Sequence, residues 1–391
     1  MSQGSGRSPA NAVLLGGSVT VVFVFPVFLA GAMAVQLAEE LAFGASRLGL
    51  AIGAFRGMAA FLSPPLGRLV DRLGAGRSLR WAALGAGVST LGVAVAATSW
   101  ASLVGWLLVG GAAHALGQPA ANRLISNAVP RGRLGLAFGL KQSAPPVAAM
   151  LAGLSVSAIA QTVGWRWAYV LGAVMAFGVA IAVQTQPRLR RDRTPTYQNT
   201  TPSRVVSRRV IIALAIGFGF GTASSSMVTA FYVTGAVHAG ASAQFAGTML
   251  AVSSLVAVVG RVFFGALCDT LISRPLRLCS SLLLFGSLGA VWLAFGGLAA
   301  ATIGVVIAIV GTWGFNGIFW FAVVRAHPVS PGRITGSIAP GGLLGGTLGP
   351  VVFGFVAELA SYPSAWILCA ASAVIAGATI AISGRQLDTW V

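Results

Sequence analysis

Apolar runs, each about the length of a bilayer crossing, alternate along this 391-residue chain with short segments that carry most of the arginines. A membrane-spanning helix needs about 20 mainly apolar residues, because the hydrocarbon core is about 30 Å thick. The first run is longer than the apolar core of a secretory signal, so we expect a helix there too. The pattern predicts twelve transmembrane helices, with expected spans of 13–36, 48–66, 80–98, 102–125, 135–160, 165–184, 209–235, 243–267, 276–296, 299–325, 334–359 and 364–384.

The composition is that of a polytopic membrane protein. Hydrophobic residues make up 56% of the chain and charged residues 8%, whereas soluble domains carry about 25% charged residues. The mean hydropathy is +0.87. A net charge of +18 would suit a nucleic-acid-binding protein, but the arginines lie in the gaps between apolar runs, so we expect no nucleic-acid partner. The predicted fold is an all-α membrane protein with two pseudo-symmetric six-helix bundles.

Arginine also predicts the orientation, since cytoplasmic loops carry an excess of basic residues. Most of the 25 basic residues fall on the cytoplasmic side if the N-terminus lies there. We therefore expect a multi-pass protein of the plasma (inner) membrane with both termini in the cytoplasm. The basic segment 188–208 is expected to be a cytoplasmic linker that touches anionic lipid headgroups, between an N-terminal bundle (1–187) and a C-terminal bundle (209–391).

A repeated spacing indicates that the two halves are related. Gly67 and Asp71 follow the second predicted helix, and Gly265 and Asp269 recur with the same spacing in the second half. Parallel repeats of this kind place a substrate site near the midplane of the membrane, at the interface between the halves. The segment from Leu66 to Leu79 is expected to be a short arginine-rich turn.

The segment from Gly67 to Arg77 resembles the loop between helices two and three of the major facilitator superfamily, which reads roughly Gly-x-Leu-x-Asp-Arg-x-Gly-Arg-Arg. The match holds through Gly74 and then departs, with Ala75 and Gly76 in place of the basic pair. The resemblance implies a conformational latch. Its aspartate would accept hydrogen bonds from a helix N-terminus, and its arginines would pair with the facing half. The latch residues are expected to be Gly67, Asp71, Arg72, Gly74, Arg77 and Asp269.

Other motifs can be compared with those of individual branches of the superfamily. The stretches 119–123 and 135–142 look like the cyanate and nitroimidazole transporter branch. Proton-driven drug antiporters often carry an arginine early in helix four, and the stretch 103–113 has none. Their Gly-Pro motif in helix five is replaced by Ser143-Ala144-Pro145-Pro146. These departures disfavour drug export without excluding it.

Ionisable residues inside a membrane are costly and therefore candidates for function. Arg56 lies about eight residues into predicted helix two, and Lys141, the only lysine in the sequence, lies near the start of helix five beside Gln142. Arg56 could bind an anion or form a structural pair, and Lys141 could instead extend to the membrane surface. The prolines at 145 and 146 should unwind helix five locally.

Two polar stripes complete the expected substrate site. His114, Gln118 and Asn122 recur every four residues on helix four and therefore share one face. Trp313, Asn316 and Trp320 form a similar stripe on helix ten, although packing explains such aromatics equally well. Arg261 on helix eight is a further cation, near the expected cytoplasmic end. The binding residues are expected to be Arg56, His114, Gln118, Asn122, Lys141, Gln142, Trp313, Asn316 and Trp320.

Arg56, Lys141 and Arg261 are basic and no Asp or Glu lies clearly within the core of a predicted helix, so the interior suits an anion. The sequence favours a secondary active transporter of a small anionic or polar organic solute, acting by alternating access, monomeric and coupled to protons by symport. A proton-driven multidrug efflux antiporter is the alternative, and a non-transporting membrane sensor is a third. We expect no enzyme activity, no cofactor and no metal, because the histidines and cysteines have no ligand spacing.

Overall fold

The computed structural model describes residues 9–130, 134–185, 207–270, 274–326 and 331–388, and the elements in these ranges are helical. Two π-helical turns, Val156–Ala160 and Ala300–Gly304, interrupt the α-helices. The α-helices are α1 (Pro9–Ala32), α2 (Ala34–Leu41), α3 (Ala45–Leu73), α4 (Ala75–Ala96), α5 (Trp100–Ala128), α6 (Leu134–Lys141), α7 (Ala144–Ser155), α8 (Trp165–Gln184), α9 (Arg208–His238), α10 (Ala243–Thr270), α11 (Pro275–Phe295), α12 (Gly297–Ala299), α13 (Val305–Ala326), α14 (Pro331–Leu359) and α15 (Tyr362–Asp388).

The predicted twelve crossings agree with this architecture. Eleven segments in the described ranges are long and apolar enough to cross a membrane. The twelfth is α3, whose glycines, prolines and basic residues lower its hydropathy, and which packs between α5 and α14. The expected linker at 188–208 falls mainly outside the described residues. Its bounds, and those of the two bundles at 1–187 and 209–391, stay predictions.

The expected break in helix five is present. Helix α6 ends at Lys141, and α7 begins at Ala144 with a proline in its first turn. Proline is favoured at that place because it lacks the N–H that the first turn of a helix leaves unpaired. The interruption at Gln142 and Ser143 exposes backbone carbonyls in the middle of the helical bundle.

The prediction of a turn from Leu66 to Leu79 is wrong. Helix α3 continues through Gly67, Asp71 and Arg72 to Leu73, and α4 begins at Ala75. Only Gly74 is non-helical, with φ = 80°, a region that glycine enters without steric cost. One residue therefore reverses the chain, and the motif forms two helix ends instead of a loop.

The two halves of the chain, α1–α8 and α9–α15, meet along α3 with α14 and along α7 with α10. Glycines allow the backbones to approach closely in both places. A β-carbon at Gly153 of α7 would lie 2.6 Å from the Gly247 carbonyl oxygen of α10. On α3, Gly49 faces the backbone of Pro350, whereas a β-carbon at Gly67 would meet nothing within 4 Å. The close approach of α3 and α14 is therefore confined to one end, which we call the Glu358 end.

A carboxylate from the second half caps a helix of the first half at this end. The Ser46 amide, in the first turn of α3, donates a hydrogen bond of 2.8 Å to Glu358 Oε2 of α14. A β-carbon at Gly44 would lie 2.6 Å from the same oxygen, so glycine leaves room for the cap. An anion at a helix N-terminus satisfies an unpaired amide and interacts favourably with the helix dipole. The contact therefore stabilises the closed Glu358 end.

We expect Glu358→Ala to weaken closure of this end by about 1 kcal/mol, the typical contribution of an N-cap. Spin labels on the exposed residues Thr98 and Ala360 should then report a larger population of long distances than in the unsubstituted protein. Glu39→Ala is the matched control, because Glu39 is an exposed acid of the same end. Identical distance distributions for Glu358→Ala and the control would contradict this role.

A second acid of the Glu358 end joins three helices. Glu40 of α2 forms an ion pair with Arg166 of α8 and accepts a 2.6 Å hydrogen bond from Trp165 Nε1. Arg166 also donates to the carbonyls of Ala94 and Ala97 at the end of α4. The hydrogen bond from Arg166 lowers the pKa of Glu40 below its usual value of 4.5.

A carboxyl whose pKa is lower in the folded protein stabilises the fold above its unfolded pKa and loses that contribution as the pH falls through its folded pKa. We therefore expect the thermal midpoint to fall as the pH drops below about 4.5, and Glu40→Gln to reduce that dependence. Thermal unfolding in detergent from pH 3.5 to 7 measures it, with Glu39→Gln as the control. A Glu40→Gln curve parallel to that of the unsubstituted protein would refute the assignment.

Candidate functional site

The centre of the first half contains a buried ammonium group. Lys141, at the end of α6, is 2% exposed. Its Nζ donates to Asn122 Oδ1 at 2.7 Å and, over a shorter distance, to Gln118 Oε1. Gln118 and Asn122 are one turn apart on α5, so the predicted polar stripe of this helix faces the lysine. Both acceptors are neutral, and Lys141 has no carboxylate partner among the described residues.

His114, one turn further along α5, lies between two phenyl rings. Its imidazole stacks on Phe23 at 5.2 Å and on Phe55 at 5.8 Å between ring centroids. Its Nδ1 is buried without a hydrogen-bond partner. Lys141 bonds Gln118, one turn from His114 on α5. Phe55, which stacks on the imidazole, directly precedes Arg56 on α3. The predicted residues Arg56, His114 and Lys141 therefore belong to one part of the bundle.

Arg56 reaches from α3 toward the second half. A β-carbon at Gly346 of α14 would lie 3.5 Å from an η-nitrogen of Arg56 and 3.7 Å from Ser226 Oγ of α9. The Nε of Arg56 is buried and has no hydrogen-bond partner. An arginine of the first half therefore borders α14 and α9 with unused hydrogen-bonding capacity.

Arg261 of α10 supplies the third cation and connects the halves at the break in helix five. It donates to the Trp313 carbonyl through Nε at 3.1 Å and Nη2 at 2.9 Å, and through Nη1 to the Gln142 carbonyl. Its guanidinium also lies 5.5 Å from the centre of the Trp313 ring. The carbonyl that the break exposes is thus bound by an arginine of the opposite half.

Gln142 and Asn316 form a second contact between the halves, because Gln142 Nε2 donates to Asn316 Oδ1 at 3.3 Å. Trp313 donates from its indole to the Ser225 carbonyl of α9. Trp320 instead packs on Phe218, with ring centroids 4.7 Å apart, and on Phe319. Of the predicted stripe on helix ten, Trp313 and Asn316 face the break in helix five, and Trp320 belongs to an aromatic cluster.

The predicted latch has a partner that the sequence did not suggest. Asp71 accepts a 3.0 Å hydrogen bond from Arg123 of α5, an ion pair within the first half. Arg72 and Arg77 are exposed, and neither has an ion pair among the described residues. Within the described ranges, neither arginine makes the expected contact with the facing half. The side chain of Asp269 lies outside the described residues.

The charges of the interior are of one sign in the described part of the chain. Glu39, Glu40, Asp71 and Glu358 are exposed and lie near helix ends, while Arg56, Lys141 and Arg261 point into the bundle. Among the same residues, no group of three His, Cys, Asp or Glu side chains could hold a metal ion. Among the described residues, Lys141 and Arg261 are bound to neutral oxygen atoms, and Arg56 has a buried Nε without a hydrogen-bond partner.

Sequence reasoning left Arg261 out of the expected binding residues, because its position suggested a place too close to the membrane surface. The structure puts it level with Gln142 and Trp313. One feature of the sequence could have indicated a role for Arg261. Pro145 and Pro146 interrupt helix five and release a carbonyl that a cation from the opposite half can bind.

Comparisons of the sequence with known proteins identify membrane transporters as relatives. Similar proteins of Mycobacterium tuberculosis include an uncharacterized MFS-type transporter, 27% identical over 72% of this chain and 65% of the relative, so the chain spans slightly less than two thirds of that protein. The probable nitrate/nitrite transporter NarK2 is 26% identical over 97% of this chain and 98% of its own.

Solved structures resemble this chain in fold. A bacterial homologue of the human lysosomal transporter Spinster, inward-facing and occupied, has a TM-score of 0.73 at 16% identity over 97% of this chain and 98% of that one. A mutant of the nucleoside transporter NupG has a TM-score of 0.75 at 14% identity over 96% and 100%. The family model of the Major Facilitator Superfamily matches residues 16–339. This chain, a multi-pass membrane protein with twelve crossings, therefore belongs to the Major Facilitator Superfamily of transporters.

Proposed function

We propose that this protein moves a small anionic or polar solute across the membrane by alternating access, with proton symport. The observation that carries the proposal is a set of three cations without a described carboxylate partner: Arg56 and Arg261 at the junction of the two halves, and Lys141 inside the first half next to the junction residue Gln142. A buried positive charge without a counter-ion is costly. An anion that enters the junction supplies the missing charge and is bound by charge-assisted hydrogen bonds.

The two arginines supply contacts from opposite halves. Arg56 belongs to the first half and borders α14, while Arg261 belongs to the second half and bonds the carbonyl of Gln142. A solute bound by both residues would interact differently with the two halves as they move apart or together. Such a difference in affinity between conformations is what a ligand needs to shift a conformational equilibrium.

The small size of the substrate is supported by the relatives and by the motifs. NarK2 is a probable transporter of nitrate and nitrite. The resemblance of the stretches 119–123 and 135–142 to the cyanate and nitroimidazole branch, which stays a prediction, suggests a related class of small molecules. Phe23 and Phe55 flank His114, and the Trp313 ring lies against Arg261. Such aromatic walls suit a flat, weakly hydrated anion.

The same charges disfavour the multidrug efflux alternative. A cationic drug would meet two arginines and a lysine, and like charges in an apolar interior repel strongly. The described acids lie near helix ends, where they are exposed. The charges of the interior therefore favour anion transport over drug export.

We expect Arg56→Ala to reduce transport of the preferred anion about 10- to 100-fold, because a hydrogen bond to a charged group contributes about 1.5–3 kcal/mol. The measurement is uptake of isotopically labelled nitrate, nitrite and cyanate into liposomes that contain the purified protein. Arg68→Ala is the matched control, because Arg68 is an exposed arginine of the same helix.

Two results would refute the assignment. Equal uptake by the Arg56→Ala and Arg68→Ala proteins would remove Arg56 from the site. Failure of the unsubstituted protein to transport or bind any of the three anions, together with export of apolar cations, would support the drug antiporter instead.

A further inference from the structure

We infer that Lys141 takes up the proton that accompanies the anion, so that anion binding and protonation of this amine occur together. The inference rests on the proposed function, and it names the group that couples the two ions. It starts from the position of Lys141, which is almost completely buried and bonded to two side-chain amides.

Among the described side chains, the groups that face Lys141 provide no negative charge. Helix α6 packs against α1, α5 and α10, and α1 has no ionisable side chain. From α5 come His114, which the charge of Lys141 reaches, and Arg123, which is paired with Asp71. From α10 comes Arg261, bound to the carbonyl of the residue next to Lys141. Asp269 is eight residues further along α10, or about 12 Å at 1.5 Å per residue.

Only one of the three interior cations can change its charge. Arginine stays protonated under all conditions at which proteins fold, whereas a buried lysine exchanges its proton readily. The side chains of Gln118 and Asn122 suit both states of the amine. Each has an oxygen that accepts from the ammonium and an NH₂ group that can donate to the lone pair of the neutral amine after an amide rotation.

The coupling between anion binding and protonation of Lys141 follows from the charges around the amine. With the junction empty, the neutral amine of Lys141 avoids a third positive charge beside Arg56 and Arg261. When an anion enters, its negative charge favours the ammonium, and the amine nitrogen binds one proton from the aqueous side to become –NH₃⁺. On release of the anion the same N–H bond breaks and the proton leaves to water. Linkage makes the effect reciprocal, so that protonation strengthens anion binding by the same factor.

His114 is the competing carrier, since an imidazole also exchanges protons near neutrality. Its ring is enclosed between Phe23 and Phe55, and its buried Nδ1 has no acceptor in reach. A protonated ring would therefore contain an N–H group that no described oxygen accepts. Lys141, by contrast, already has two acceptors in place.

The test measures protons and anion binding on the same sample. Nitrate is added to the full-length protein in weakly buffered detergent at pH 7.5, with a pH indicator for proton uptake and calorimetry for binding. Nitrate is the conjugate base of a strong acid, so the protons consumed are those of the protein. We expect about one proton per nitrate bound, and a nitrate affinity that weakens about tenfold per pH unit once the free amine is neutral.

Lys141→Arg keeps the positive charge but cannot release a proton, so we expect nitrate binding without proton uptake and with little dependence on pH. If this variant does not fold, the nitrate affinity of the unsubstituted protein is measured from pH 6 to 9 instead. A nitrate affinity that does not change over this range overturns the inference. Proton uptake that persists in Lys141→Arg, or that His114→Gln abolishes instead, also overturns it.

The two proposals fail in different ways. Nitrate binding without proton uptake by the unsubstituted protein would remove the role of Lys141 and leave anion transport intact. Absence of binding by nitrate, nitrite and cyanate alike would refute the proposed function, and the inference with it.

Discussion

Positive charge in the centre of this bundle is held by neutral oxygen atoms, and the arrangement of the surrounding helices follows from that requirement. Lys141 needs the amides of Gln118 and Asn122, which must lie one turn apart on α5 to reach the same ammonium. Arg261 needs free carbonyls, and the break before Ala144 supplies one of them. In an intact helix five the Gln142 carbonyl would accept from the amide four residues on, and the proline at that position leaves it free for this arginine.

The interruption of helix five therefore has two consequences. It places Lys141 at a helix end inside the first half, and it lets a side chain of the second half bond the backbone of the first. The contact between Gln142 and Asn316 lies in the same place. Separation of the halves would break these contacts together, so the break belongs both to the candidate site and to the contact between the halves.

The sequence predicted the twelve crossings well, because eleven are long apolar runs whose length the hydrocarbon thickness fixes, and α3 is long enough despite its lower hydropathy. It also predicted that His114, Gln118 and Asn122 share a face, which helical periodicity alone determines. It did not predict the continuation of α3 through Asp71, since a glycine with positive φ can reverse the chain in one residue without a turn signature. Contacts between distant helices, such as Arg123 with Asp71 and Glu358 with Ser46, depend on packing that has no local pattern.

Lys141 is the only lysine among the 391 residues, and it lies at the centre of the candidate site. Protein prepared with isotopically enriched lysine thus carries a single labelled side chain, and its magnetic resonance spectrum contains one ammonium environment to observe. The natural sequence therefore places a spectroscopic reporter next to the break in helix five, with no engineered label.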